Sequence, residues 1–219
     1  MKKPKSLVKK MNNVLIKNII KYLNGFNTQL LITDEKVAEA FEKTITDVKY
    51  HYPTLTSEEI CSRIINNNNE LAIYLYRLGR IYFKMGDNEN INILHGLMRM
   101  TCSCEIYFSN IIGHGFYLVH SVGTVIGSRN KIGNGFLVYQ NCTIGHENDN
   151  QNGAKLGDEI TMLPYSSIIG SICIGDNVIL GAYTLIKNDC ESNNLISGIP
   201  GKKISKITDN LKSRFRPNL

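Results

Sequence analysis

The sequence has no tryptophan, only 5 prolines in 219 residues, and no long unbroken run of apolar residues. That last absence excludes a membrane-spanning helix, which needs about 20 consecutive apolar positions. The lysine-studded start (Lys2, Lys3, Lys5, Lys9, Lys10) likewise lacks the apolar stretch of an export signal, so a soluble, cytoplasmic protein is expected. Paired cysteine spacings are missing too. Cys61, Cys102, Cys104, Cys142, Cys173 and Cys190 are scattered, which argues against a disulfide framework or a metal site and for reduced, mostly buried thiols. Part of the net charge of +6 sits in the first 21 residues, and no Arg-rich stretch interleaved with aromatics points to nucleic acid. A phosphate-bearing small molecule would satisfy the same charge.

The first half has a helical period. From Leu7 to Leu23 apolar residues recur at three- and four-residue steps with lysines between them, an amphipathic helix best read as packing against a subunit or domain. Further helices are predicted from about Asp34, a possible cap, to Tyr50, and from Thr56 to Asn66, where Thr56 and Glu59 form a capping-box pattern. The run from Glu70 to Met85 is apolar almost all round, as in a helix buried among neighbours, and Gly86 with Asp87 ends it.

After Cys104 the period becomes six. Every sixth residue from Ile126 gives Ile126, Ile132, Val138, Ile144, Asn150, Leu156, Met162, Ile168, Ile174, Leu180 and Ile186, and only Asn150 breaks the column. Ile106, Ile112 and Leu118 continue it upstream with a shift of two, which a small insertion near residues 119 to 125 explains. Strand alternation has a period of two, so a flat sheet would not single out these positions. Three hexads can instead close a triangular coil, each aliphatic residue stacking on its counterpart eighteen residues earlier, with glycine in the tight turns. The fold class is therefore α+β: a helical domain over 1–104, a parallel β-helix of about five coils over 105–204, and a tail over 205–219. The polar stretch His146 to Asn152 is costly to bury and is expected to loop out.

Smooth β-helix walls offer few places for chemistry, which directs attention to the two irregularities. His120 lies at the phase shift, fifteen residues after Glu105, a spacing close to one coil. A carboxylate on one imidazole nitrogen would fix the tautomer and make the other nitrogen a better base. The plainer reading is a partly buried wall histidine with Glu105 capping the junction. His146 opens the excursion, His114 reads as a surface coil residue, and His51 and His95 read as structural. Cys142 occupies a small-residue slot of its hexad and reads as packing. No grouping of histidines suggests a metal.

Several segments carry a family resemblance: Tyr76-Arg77-Leu78-Gly79, His120 to Gly123, Thr143-Ile144-Gly145, and Gly198-Ile199-Pro200-Gly201-Lys202. From about Asp47 to Ile204 the chain resembles the serine acetyltransferases and the related O-acetyltransferases of bacterial polysaccharide gene clusters, which are hexapeptide-repeat enzymes using acetyl-CoA. The resemblance implies a left-handed β-helix, a homotrimer, His120 as catalytic base with Glu105 as its acidic partner, and acetyl-CoA in the groove between neighbouring β-helices. It places Gly145, Pro164, Ala182 and Gly201 along the coenzyme, Lys202 or Lys203 at its phosphates, and His146 and Asn152 in the loop that closes over the acceptor. The family usually has Asp where Glu105 stands.

Other departures bear on the acceptor. The second histidine and the arginine of the serine acetyltransferase loop are missing from the stretch ending Gln151-Asn152-Gly153, and Tyr52 replaces an aspartate that recognises the serine amino group. The chain also ends Pro217-Asn218-Leu219 rather than in the family's terminal isoleucine. An amino-acid acceptor needs partners of both signs to offset desolvation, and the sequence shows neither at this site. The expected acceptor is therefore a neutral sugar or polyol hydroxyl of a surface polysaccharide. L-Serine is the alternative, and a catalytically silent binding scaffold is a third reading.

Overall fold

The hexad period closes into a three-sided prism. The computed structural model describes residues 33–148 and 152–215; the amphipathic stretch Leu7 to Leu23, Asn150, Gln151 and the last four residues lie outside them. Among the described residues four helices precede the strands: α1 (Asp34–His51), α2 (Ser57–Asn66), α3 (Asn68–Met85) and α4 (Asn88–Cys102). Thr56 and Glu59 form the expected reciprocal capping box on α2. Two helix starts differ from the sequence expectation. Thr33, not Asp34, is the N-cap of α1, and Asp34 lies in the first turn, where a carboxylate favours the positive end of the helix. Helix α3 begins earlier than Glu70 because the side chain of Asn67 caps the backbone N–H of Asn69 at 3.0 Å. As its apolar circumference predicts, α3 is the buried centre of the helical domain, and Gly86 ends it in the left-handed conformation.

The first coil consists of β1 (Glu105–Ile106), β2 (Ile111–Ile112) and β3 (Tyr117–Leu118), the second of β4 (Val125–Ile126), β5 (Lys131–Ile132) and β6 (Leu137–Val138). Strands β7 (Thr143–Gly145), β8 (Lys155–Leu156) and β9 (Thr161–Met162) make the third, and β10 (Ser167–Ile169), β11 (Cys173–Ile174) and β12 (Ile179–Leu180) the fourth. A fifth coil is irregular: β13 (Leu185–Ile186) and β14 (Asn194–Ser197) are regular strands, but its second wall is reduced to a single bridge between Ile174 and Cys190. Four full coils and a remnant thus replace the expected five. Strand β15 (Lys202–Lys206) turns back antiparallel on β14, and helix α5 (Asp209–Phe215) follows.

Corresponding strands pair in parallel, so three walls run the length of a left-handed β-helix: β1-β4-β7-β10-β13, β2-β5-β8-β11, and β3-β6-β9-β12-β14. Their registers stack Ile106, Ile126, Ile144, Ile168 and Ile186 in one wall, Ile112, Ile132, Leu156 and Ile174 in the next, and Leu118, Val138, Met162, Leu180 and Ile196 in the third. All are buried. Each contributes roughly 1.5–3 kcal/mol by leaving water, which is why the sixth position cannot drift. The pairing of Val125 with Thr143 and of Ser167 with Leu185 gives the eighteen-residue coil, whereas Glu105 pairs with Val125 after twenty and Thr143 with Ser167 after twenty-four. The two irregularities therefore fall at the connections 119–124 and 146–154.

The helical domain is fastened onto the first coil. Arg77 makes a two-pronged bond to Asp47, with Nε to Oδ2 and Nη2 to Oδ1 both at 2.7 Å, and also donates to the carbonyls of Ile112 (2.8 Å) and Gly113 (2.6 Å). Asp47 in turn accepts the N–H of Phe116, and Tyr76 donates its hydroxyl to the carbonyl of Asn110. Gly79 leaves the space into which the Phe108 ring packs. These contacts give the Tyr76-Arg77-Leu78-Gly79 segment its physical meaning. His51 and His95 serve the same junction, Nε2 of each bonding a β-helix carbonyl, Gly115 and Ile106 respectively. Burial holds the His95 ring below the usual histidine range. All six cysteines are free, and Cys61, Cys102, Cys104 and Cys142 are buried. Among the described residues no helix is long and apolar enough to cross a membrane.

Candidate active site

The edge between the third wall and the first carries the shorter of the two irregular connections. The two extra residues between Leu118 and Val125 form a corner whose backbone is tied down on both sides of His120. Asn69 donates from Nδ2 to the carbonyl of Val119 and accepts the N–H of Ser121 on Oδ1, both at 2.8 Å. The buried Ser121 hydroxyl donates to the carbonyl of Cys102, and the N–H of Gly123 donates to the carbonyl of Ser103. Gly123 is required here: its φ of 70° lies in the left-handed region, and a Cβ would run into the side-chain oxygen of Asn141. The imidazole itself is exposed. The corner is thus a fixed mount for a solvent-facing titratable ring.

Glu105 is not joined to that ring. Its Oε1 faces Nη1 of Arg99 at 3.4 Å, and no hydrogen bond or ion pair links it to His120. The expected dyad is therefore not formed in the single chain. A long, partly exposed ion pair of this kind contributes under about 1 kcal/mol, so it is an easily exchanged contact.

Charges that the sequence reading did not find stand nearby. Arg63 lies over the Tyr52 ring at 4.7 Å and donates from Nη1 to Oε1 of Glu70 at 2.8 Å. The Tyr117 hydroxyl donates to the same oxygen at 2.9 Å, and Oε2 of the fully buried Glu70 has no hydrogen-bond partner among the described residues. Burial and the Glu70 carboxylate push the Tyr117 phenol far above its ordinary range, so it stays a donor. Glu70 directly follows Asn69 on α3 and its partner Tyr117 lies three residues before His120, so a guanidinium and a carboxylate stand on the helical side of the same coil. Tyr52 packs edge-on against Tyr117 and fills the position that the family resemblance assigns to an aspartate. The only local sign in the sequence is the asparagine run 66–69 at the junction of two helices.

Three of the predicted residues share the edge with His120. Pro164 and Ala182 turn the corner in the third and fourth coils, and the N–H of Gly201 donates to the carbonyl of Leu185 at the start of the fifth, at 2.7 Å. Between them Tyr165 and Tyr183 stack face to face, centroids 4.7 Å apart and planes 3° apart, both exposed and both at positive φ (64° and 56°). Lys202 and Lys203 begin β15 and are exposed; beneath Gly201 and Lys203 the open end of the prism holds a cavity of about 370 Å³. His120 and Tyr183 are three coils apart, on the order of 15 Å at one strand spacing per coil.

The next edge gathers Gly145, His146 and Asn152. His146 donates from Nε2 to the carbonyl of Ser128 at 2.7 Å, and its buried Nδ1 has no hydrogen-bond partner among the described residues. Glu147 pairs with Lys187, and the Asn152 carbonyl accepts from the Ser171 hydroxyl. The structure therefore separates the predicted residues onto two edges of one wall, with Glu105 between them. Cys142 is buried, its thiol pushed up by that burial, and its Sγ lies 3.2 Å from the carbonyl of Leu163: it packs, as expected.

No family model matches the chain. Among known proteins, it is 28% identical over 137 residues to a serine acetyltransferase of Helicobacter pylori, a match covering 62% of this chain and 80% of that one. It is 31% identical over 115 residues to a serine acetyltransferase of Synechococcus elongatus, covering 51% and 47%. Among solved structures, the serine acetyltransferase of Neisseria gonorrhoeae superposes with a TM-score of 0.69 at 21% identity, over 82% of this chain and 71% of that one. A serine acetyltransferase in complex with CoA gives 0.69 at 18%, over 92% and 84%. The helical domain and the prism of stacked hexads are the architecture of those structures, and the chain is serine acetyltransferase-like in sequence and in fold.

Proposed function

We propose that the chain transfers an acetyl group from acetyl-CoA to the hydroxyl of a small acceptor, with His120 as general base. The observation that carries this reading is the corner itself: an exposed imidazole on a backbone fixed at both flanking peptides, at the head of an open edge lined by Pro164, Ala182 and Gly201. His120 removes the proton of the hydroxyl, its oxygen attacks the thioester carbonyl, and CoA leaves as the thiol. The extended arm of the coenzyme fits the groove along this edge, completed by a neighbouring copy in a homotrimer, with Lys202 and Lys203 at its phosphates and Gly145 on the facing edge. Glu105 orients the ring after releasing Arg99.

L-Serine is the first candidate acceptor. The relatives are named serine acetyltransferases, and Arg63 with Glu70 brings both signs of charge to the helical side of the same coil, as a zwitterion requires. A specific observation favours a second reading, a sugar or polyol hydroxyl: Glu70 already binds Arg63 and Tyr117, and neutral Tyr52 and Asn152 stand where an amino acid would need charge.

The test is CoA release with serine, homoserine, free sugars and nucleotide sugars, comparing the wild type with His120→Ala. General-base loss lowers kcat by about 10²–10⁴. An unchanged rate in His120→Ala with the best acceptor would remove the assignment, and the absence of turnover with every acceptor would leave a silent scaffold. Sedimentation showing a monomer would remove the shared groove.

A further inference from the structure

Residues 119 to 121 belong to the first coil, and no earlier coil lies beneath them to pair with their outward peptide groups. Asn69 takes the place of that missing strand. Its carboxamide offers one N–H and one C=O side by side, as a strand residue does, and uses them on the carbonyl of Val119 and the N–H of Ser121. The Val119 carbonyl lies in the peptide plane before His120 and the Ser121 N–H in the plane after it. Holding both planes sets φ and ψ of His120, and with them the direction of its Cα–Cβ bond.

The clamp is itself anchored. The backbone N–H of Asn69 is held by Oδ1 of Asn67, the cap of α3, and Ser121 is held again through its hydroxyl by the carbonyl of Cys102. Among the described residues nothing comparable binds the imidazole. The aim of the ring is therefore set through its backbone from the helical domain.

We infer that Asn69 is a positioning residue for His120, an inference that rests on the general-base reading above. It touches neither acceptor nor coenzyme and acts only by aiming the imidazole at the acceptor hydroxyl. A base displaced by an ångström loses on the order of a hundredfold in rate, so Asn69→Ala is expected to lower kcat by about ten- to a hundredfold while KM for acetyl-CoA stays within about twofold.

The decisive experiment is a double-mutant cycle on single-turnover acetyl transfer, in the full chain and with the best acceptor, using Asn69→Ala, His120→Ala and the double variant. If Asn69 acts through His120, its replacement costs nothing further once the imidazole is gone. An equal factor in both backgrounds would show an interdomain tie with no aiming role and overturn the inference, as would a wild-type kcat for Asn69→Ala. Should Asn69→Ala fail to fold, the isosteric Asn69→Asp serves in the same cycle. It keeps the bond to the Ser121 N–H and sets a carboxylate oxygen against the Val119 carbonyl, so a loss confined to the His120 background supports the inference and an equal loss in both defeats it. If His120→Ala alone keeps the wild-type rate, the general-base reading has failed; if that variant is inactive and neither Asn69 variant loses rate, only the aiming role has.

Discussion

Replacing Asp47 by Ala tests what holds the two halves together. The substitution removes two charge-assisted bonds at 2.7 Å and leaves the Arg77 guanidinium, with only 8% of the residue exposed, on the carbonyls of Ile112 and Gly113 and the face of the Tyr76 ring. Breaking a buried ion pair from one side costs about 3–5 kcal/mol, because the remaining charge stays desolvated. The Phe116 N–H loses its acceptor as well, roughly 1 kcal/mol more. Against a total stability of about 5–15 kcal/mol, that is a large fraction. Urea unfolding followed by circular dichroism at fixed protein concentration reads the loss directly. The double variant Asp47→Ala/Arg77→Met removes the stranded charge and is expected to recover about half of it. A loss below about 1 kcal/mol in Asp47→Ala, or a double variant less stable than the sum of the singles, would refute the view that the stranded charge sets the cost.

Thr56→Ala removes the cap of α2 and is expected to lower stability by about 1 kcal/mol with KM values unchanged, checked by thermal melting and steady-state kinetics. Gly123→Ala puts a side chain at positive φ against Asn141 and is expected to cost about 1–3 kcal/mol and to reduce kcat, since the strained corner also carries His120; an alanine variant with native stability and rate would contradict the geometry. Burial pushes the Cys102 thiol from its ordinary 9.0 up to about 11. The unfolded chain therefore ionises first, and stability falls by up to about 1.4 kcal/mol per pH unit between those two values for this group. Cys102→Ser is expected to flatten that alkaline slope in denaturant titrations.

The prism was legible because its rule is local. One inward residue per hexad has to be apolar, so Ile106 through Ile186 announce the walls, and the shift of two and the polar gap announce the two long connections. The capping box of Thr56 and Glu59 was legible for the same reason. The site was legible only in part. His120 stood out because it sits at a break in the repeat, but Asn69 meets it across fifty residues of sequence, through a helix packing that no periodicity encodes. Arg63 and Glu70 were hidden likewise: each reads as an ordinary helix residue until the chain end of one helix and the start of the next are placed over Tyr117. The missing wall of the fifth coil reflects the stretch from Lys187 to Asn193, where the aliphatic residue of the hexad gives way to Cys190.

Neither end of the prism continues into another coil: the helical domain covers one, and at the other the lysine-bearing β15 turns back along β14. The interior between them is interchangeable in whole units. Adding or deleting eighteen residues would leave each terminus chemically unaltered and move them relative to one another by a single strand spacing, about 4.8 Å. The solenoid is in this sense a ruler with fixed graduations, and the span from the His120 corner to Gly201 can change in evolution or by design only in discrete steps.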